Sequence, residues 1–134
     1  MSTLTEQDRE DLRVMMEVDW VEACKASDWD AAVALLTSDV DYMAADLPLL
    51  KGRGAVREFL SEFPAIKDMS QSLVETQGDA SLAVIRGTFG VTSVVEGQEI
   101  RGEGKVLSTA KKEDGKWLIS AVCWNWDAPL APTD

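Results

Sequence analysis

Apolar residues recur at helical spacing in the first half of the chain and alternate with polar ones in the second, which divides it into a helical part and a sheet part. Leu12, Met16, Trp20 and Cys24 follow one another at every fourth position, and Met15, Val18 and Ala23 widen the stripe. This spacing predicts an amphipathic helix from about Glu6 to Ala26. Thr5 with Asp8 three residues on is a capping-box signal at its start. Ser27 is placed to cap a second, short helix carrying Trp29, Ala32, Val33 and Leu36, with Asp28 and Asp30 suited to the dipole of its first turn. A short strand, Asp39 to Ala45, leads into a loop from Asp46 to Gly54, where Pro48, Gly52 and Gly54 oppose regular structure. Ala55 to Phe63 reads as a third helix, with Val56, Phe59, Leu60 and Phe63 on one side and Pro64 closing it.

From Lys67 onward the period shortens to that of strands. Ser70 to Gln77, Ala80 to Val95, Glu99 to Lys112 and Trp117 to Trp126 are separated by Gly78-Asp79, Glu96-Gly97 and Asp114-Gly115. Turns at this spacing join neighbours, so the sheet is an antiparallel meander. Helices before a meander predict an α+β fold with three N-terminal helices packed on one face of a strongly curved, mainly antiparallel sheet. Strict alternation in the last strand puts Trp117, Ile119 and Cys123 on one face and Trp124 on the other. Placing Trp117 and Trp124 on the same face requires a bulge near Ser120 to Val122. The tail from Ala128 to Asp134 is expected to be loosely held.

Composition narrows the function classes. The 134 residues are read as one domain, 1–134, able to bury roughly two thirds of the surface the unfolded chain exposes. A net charge of −11 disfavours nucleic acid and anionic membranes, which attract basic surfaces. No histidine is present, which removes Ser-His-Asp and Cys-His catalysis and His-ligated zinc. Cys24 and Cys123 are expected to be reduced thiols, and no metal or cofactor site is expected. With no apolar run near the ~20 residues of a membrane span and no signal segment, the expected location is cytoplasmic.

Several side chains carry candidate chemistry. Met16, Trp20, Trp29, Tyr42, Phe89 and Trp124 are expected to converge on one cavity and line a ligand pocket, although Met and aromatic stripes also arise in ordinary cores. Asp39, Asp41 and Asp46 flank the short strand. A carboxylate at the mouth of an apolar pocket can exchange protons near neutral pH, and Asp46, before the Pro48 loop, is the candidate base. Asn125 is the candidate hydrogen-bond donor. Arg86 and Lys105 stand in mid-strand, where a cation faces water or meets an acid. Val91, Val94 and Ile100 supply apolar residues, some of which are expected on the opposite sheet face, and a homodimer through that face is predicted.

The ordered set Trp20, Ala23, Ser27-Asp28-Trp29-Asp30, Asp39, Tyr42-Met43, Leu47-Pro48, Lys51-Gly52, Ala55-Val56 and Phe59, followed by Gly78-Asp79, Arg86-Gly87-Thr88, Gly104-Lys105, Asp114-Gly115-Lys116-Trp117, Trp124-Asn125 and Asp127, resembles the SnoaL-like branch of the nuclear-transport-factor-2-like superfamily over about residues 8–129. The resemblance implies an α+β cone, often a homodimer, with a pocket between the helices and the concave sheet. It does not fix the activity, because the superfamily includes ketosteroid isomerases, polyketide cyclases, epoxide hydrolases, dehydratases and proteins that only bind. Against the isomerase pattern, Trp20 stands where a tyrosine is expected, Ala44 near the general base, and Lys105 near the oxyanion-hole acid. The His-Asp arrangement of the cyclases has no histidine here, and Arg86 with two acids is the nearest approach to the Asp-Arg-Asp set of the epoxide hydrolases. The expected function is binding of a small, largely apolar molecule, with or without cofactor-independent isomerase, cyclase or dehydratase chemistry on a carboxylate base. The alternative is a non-catalytic dimerisation or association module with a filled core.

Overall fold

The computed structural model describes residues 3–133. Thr5 opens the first helix with a full capping box: its hydroxyl accepts from the Asp8 amide at 2.9 Å, and the Asp8 carboxylate accepts from the Thr5 amide at 3.1 Å. A continuous helical rod follows, made of α1 (Glu6–Val14), a π-helical turn (Met15–Asp19) and α2 (Trp20–Lys25). In the widened turn the Trp20 amide reaches back five residues to the Met15 carbonyl. Side chains tie this turn to the sheet. Gln71 Nε2 donates to the Met16 carbonyl at 2.8 Å, and Glu17 Oε2 accepts from the Leu73 amide at 2.8 Å. The spacing of apolar residues carried no sign of the extra backbone.

Ser27 does not cap the second helix. It ends the first one, with φ of 53°, and its amide bonds to the Cys24 carbonyl while the Asp28 amide bonds to that of Ala23. This is a Schellman closure with serine in the left-handed position. The cap of α3 (Trp29–Val33) is Asp28, whose Oδ1 accepts from the Ala31 amide at 3.1 Å. The short helix stops at Val33, so Leu36 opens β1 (Leu36–Met43) instead of closing the helix. The loop after β1 contains a two-residue strand, β2 (Leu50–Lys51), antiparallel to β1, and α4 (Arg53–Ser61) then begins behind Gly52.

The second half is a meander of long strands, β3 (Ile66–Gly78), β4 (Leu82–Val95), β5 (Gln98–Glu113) and β6 (Lys116–Trp126). Both tight hairpins have two left-handed residues at their tips, Glu96 (φ 52°) with Gly97 (81°) and Asp114 (52°) with Gly115 (78°). That geometry matches the twist of the strands it joins. The spatial order is β2-β1-β6-β5-β4-β3, antiparallel except that β1 runs parallel to β6. The fold is therefore α+β, three N-terminal helices on a curved, mostly antiparallel, open sheet. The tail is not loose where it is described. β7 (Ala131–Pro132) pairs with Ile100 and Arg101 of β5, continuing the line of β6 beyond Gly104. Asp134, the end of that expected loose tail, lies outside the described residues.

Leu12, Leu36, Val40, Val56, Ile85 and Ile119 are almost completely buried between the helices and the concave sheet face. At one end of this core Asp8 Oδ1 accepts from Lys112 Nζ at 2.8 Å and from Trp117 Nε1 at 3.2 Å, which fixes the start of α1 to the β5–β6 hairpin.

Candidate functional site

The site begins with one extra residue in β6. Ile119 pairs with Ala110 and Ala121 pairs with Thr109, so Ser120 is bulged and the alternation of β6 changes phase there. Trp117 and Ile119 before the bulge, and Val122, Trp124 and Trp126 after it, consequently share the concave face. Strict alternation therefore does not hold in β6, and the bulge needed to bring Trp117 and Trp124 to one face is present.

Between this face and the helices lies a cavity of about 80 Å³. Met16 comes from the π-turn, Trp20 and Cys24 from α2, Trp29 from α3, Tyr42 from β1, Phe89 from β4 and Trp124 from β6. All six residues named from the sequence as ligand-binding thus line one space. Its inner wall is buried, with Val106, Ser108, Ile119 and Val122 on the sheet side. Phe63, Ile66, Met69, Phe89, Val91, Trp124 and Trp126 are only partly buried and form its outer part. Among the lining residues there is no aspartate, glutamate, lysine or arginine.

Aromatic rings shape the outer part. Trp124 meets Trp126 edge-on at 5.0 Å and Phe89 at 5.7 Å between centroids, and Phe89 meets Trp126 at 5.5 Å. Two glycines of β5 leave room for these rings. A Cβ on Gly104 would stand 2.6 Å from the Phe89 ring, and one on Gly102 would stand 2.7 Å from that of Trp126. On the other flank Tyr42 packs on Phe59 at 5.8 Å, and Phe59 on Phe63 at 5.2 Å.

The polar atoms at the cavity are few and neutral. Trp124 Nε1 donates to the Tyr42 hydroxyl at 3.0 Å, and burial pushes the Tyr42 phenol well above its ordinary range. Burial also pushes the Cys24 thiol up to about 12, so it is a neutral thiol and a poor nucleophile at pH 7. Ser108 is 1 % exposed, and its hydroxyl has no hydrogen-bond partner among the described residues.

The two catalytic candidates lie elsewhere. Asp46 is exposed in the turn after β1, with φ of 64°, and does not line the cavity. A left-handed residue suits Asp, and that turn carries its side chain outward. Asn125 falls between Trp124 and Trp126, so alternation sends it to the convex face, opposite Lys105 and exposed. Among the described residues Arg86 pairs with Glu75 alone, and Lys105 with Asp127, both on that convex face, so they form neither an Asp-Arg-Asp set nor a buried cation. Of the three residues from which the outer face was to draw apolar surface, Val94 is exposed, whereas Val91 lines the cavity and Ile100 is half-buried beside Pro132. The sequence reading also left out Trp126, Gln71 and Ser108. Trp126 was legible as the next inward position after Trp124. Ser108 was legible as the polar member of the inward series Gly104, Val106, Ser108, Ala110 in β5.

No helix among the described residues is long and apolar enough to cross a membrane. Among solved structures, a ketosteroid isomerase-like protein from Erwinia carotovora atroseptica superimposes with a TM-score of 0.75 at 21% identity, over 84% of this chain and 91% of that one. A protein of unknown function with a cystatin-like fold from Nostoc punctiforme gives 0.76 at 18% identity, over 93% and 95%. A type 2 hexachlorocyclohexane dehydrochlorinase gives 0.78 at 11% identity, over 96% and 90%. At such identities the likeness is one of fold. No curated protein matches the chain. The family model of the SnoaL-like domain matches residues 18–119, from within the π-turn to the residue before the bulge in β6, and the chain belongs to that family.

Proposed function

We propose that this protein binds a small, neutral, largely apolar molecule in the cavity between the helices and the concave sheet. The observation that carries this reading is the lining: four indoles, two phenylalanines and two methionines, with no charged side chain among them. A charged ligand would lose its hydration there without gaining a counter-charge, whereas an apolar one gains roughly 25 cal/mol for each Å² it buries. The volume of about 80 Å³ is near half of the ~150 Å³ that admits benzene in an engineered apolar core. A ring therefore enters with adjustment of its wall, and the unbranched side chains of Met16 and Met69 are suited to give way. Asp46 as a catalytic base is not supported by its exposed position, so the proposal is binding without a carboxylate base.

Titration with toluene, followed by NMR of the indole N–H groups, tests this. Saturable shifts of the Trp20, Trp29, Trp124 and Trp126 signals are expected. Signals that stay unmoved up to the solubility of toluene would overturn the reading.

Association is a second reading, and it is compatible with the first. On the convex face Met43, Cys123 and Leu107 stand side by side across three strands, with Val84 on the neighbouring strand; Leu107 is 51 % exposed and Met43 37 %. Arg86, Lys105 and Lys111 border this row. An apolar centre with a charged border fits a second copy of the chain, and we propose that the homodimer expected through the outer sheet face forms at this row.

A further inference from the structure

Among the described residues, Ser108 is the one polar side chain on the inner wall that has no hydrogen-bond partner. Its neighbours across the sheet are Ile85 on β4 and Val122 on β6, and the inward positions before and after it on β5 are Val106 and Ala110. All four are apolar, so the hydroxyl is closed off on the sheet and open only toward the cavity it lines. A buried hydroxyl without a partner is unfavourable, and replacement by alanine would remove that penalty at little cost in volume. Serine at this position therefore leaves a hydrogen bond open to whatever occupies the cavity.

A second hydroxyl stands in the same transverse row. Tyr42 is the neighbour of Val122 on β1, as Ser108 is on β5, so the two lie on either side of one valine. Tyr42 is 3 % exposed; its oxygen accepts from Trp124 Nε1, and its own proton is donated to no described residue. Gln71, on β3, is held by its amide nitrogen on the Met16 carbonyl.

Resting on the binding reading above, we propose that the ligand is a neutral ring bearing one hydroxyl or carbonyl oxygen, and that it binds with this oxygen innermost, at Ser108 Oγ and within reach of the Tyr42 proton. The aromatic outer part holds the ring, and the serine selects the oxygenated molecule from its plain hydrocarbon analogue. Serine and tyrosine suit either oxygen type, because a hydroxyl donates and accepts while a carbonyl accepts from both. A carboxylate is a poorer fit, since no cation lines the space. Specificity from such a site comes from the polar group that would otherwise stay unpaired.

The probes are phenol and toluene, equal in shape and different by the hydroxyl, titrated into the wild type and Ser108→Ala with the indole N–H signals as readout. The ratio of phenol affinity to toluene affinity should fall about fivefold in Ser108→Ala, the equivalent of one neutral hydrogen bond, while toluene affinity holds or rises. Ser108→Cys, close in size and weaker as a donor, should fall between the two. An unchanged ratio in Ser108→Ala, with toluene still binding, would overturn the assignment of the oxygen to Ser108 and leave the apolar pocket standing. If neither probe binds the wild type, the pocket reading fails, and this one with it.

Discussion

Trp124 separates the contribution of a hydrogen bond from that of ring packing, because the two can be removed in steps. Trp124→Phe keeps a ring against Phe89 and Trp126 but loses the 3.0 Å bond from Nε1 to the buried Tyr42 hydroxyl. That loss should cost about 1 kcal/mol. Trp124→Ala loses both ring contacts as well, each worth about 0.5–1.5 kcal/mol beyond burial. The indole is partly exposed, so the total should lie near the lower end of the range for a core Trp or Phe, about 3 kcal/mol. For a chain of 134 residues the unfolding entropy near the midpoint is about 0.28 kcal/mol per degree, which turns these losses into about 4 and 11 °C of Tm. Urea unfolding at 25 °C and thermal unfolding, both by far-ultraviolet circular dichroism, supply the values. If Trp124→Phe costs as much as Trp124→Ala, the rings contribute nothing beyond the hydrogen bond. If Trp124→Ala costs under about 1 kcal/mol, the indole is not packed as described and the outer part of the cavity is wrongly built.

Asp8→Asn should weaken the protein at neutral pH and flatten its acid limb. Hydrogen bonds from Lys112 and the Thr5 amide hold the Asp8 carboxyl far below the usual carboxylate range, so its contribution is complete above the unfolded value of about 3.9 and is lost as pH falls through the folded one. Tm curves of wild type and variant that stay parallel between pH 6 and pH 2, a window of about four units around that value, would contradict this. Leu107→Glu, on an exposed position where folding tolerates it, should convert the dimer to a monomer in light scattering. A wild type that is monomeric at high micromolar concentration, or a variant that remains dimeric, would remove the proposed interface.

Period and turn chemistry made most of the fold legible. The amphipathic stripe from Leu12 to Cys24 located the long helical rod, and Glu96-Gly97 and Asp114-Gly115 located the hairpins because those φ values demand such residues. Counting parity from Trp117 to Trp124 left the face of Trp124 open and showed that the two share a face only through a bulge, which is found at Ser120. What escaped were features created by contacts between distant segments. The π-turn is held by Gln71 and Leu73, more than fifty residues away, and leaves the i, i+4 stripe intact. Ser27 has the chemistry of a cap at either helix end, and only the chain's path decided that it closes the first. The site divided in the same way. Aromatic residues converge because burial draws them to the core, whereas Asp46 and Asn125 were chosen for their chemistry, and their orientation rests on a turn and a strand phase that outrank it.

The attachment of the helical rod to β3 also bears on how molecules of this protein meet one another. β3 is the last strand of its side of the sheet, and an outer strand presents free amide and carbonyl groups to any passing chain. Here the rod occupies part of that row: Glu17 takes the Leu73 amide and Arg9 donates to the Thr76 carbonyl at 2.9 Å. Register shifts between Ile66 and Asp68 and between Leu73 and Glu75 break the flatness that strand addition needs. Growth of the sheet from molecule to molecule is hindered at this border by bonds from the same rod that carries Met16 over the cavity. Strand-by-strand polymerisation, the commonest route from a β-rich chain to a fibril, is thereby made unfavourable on this side.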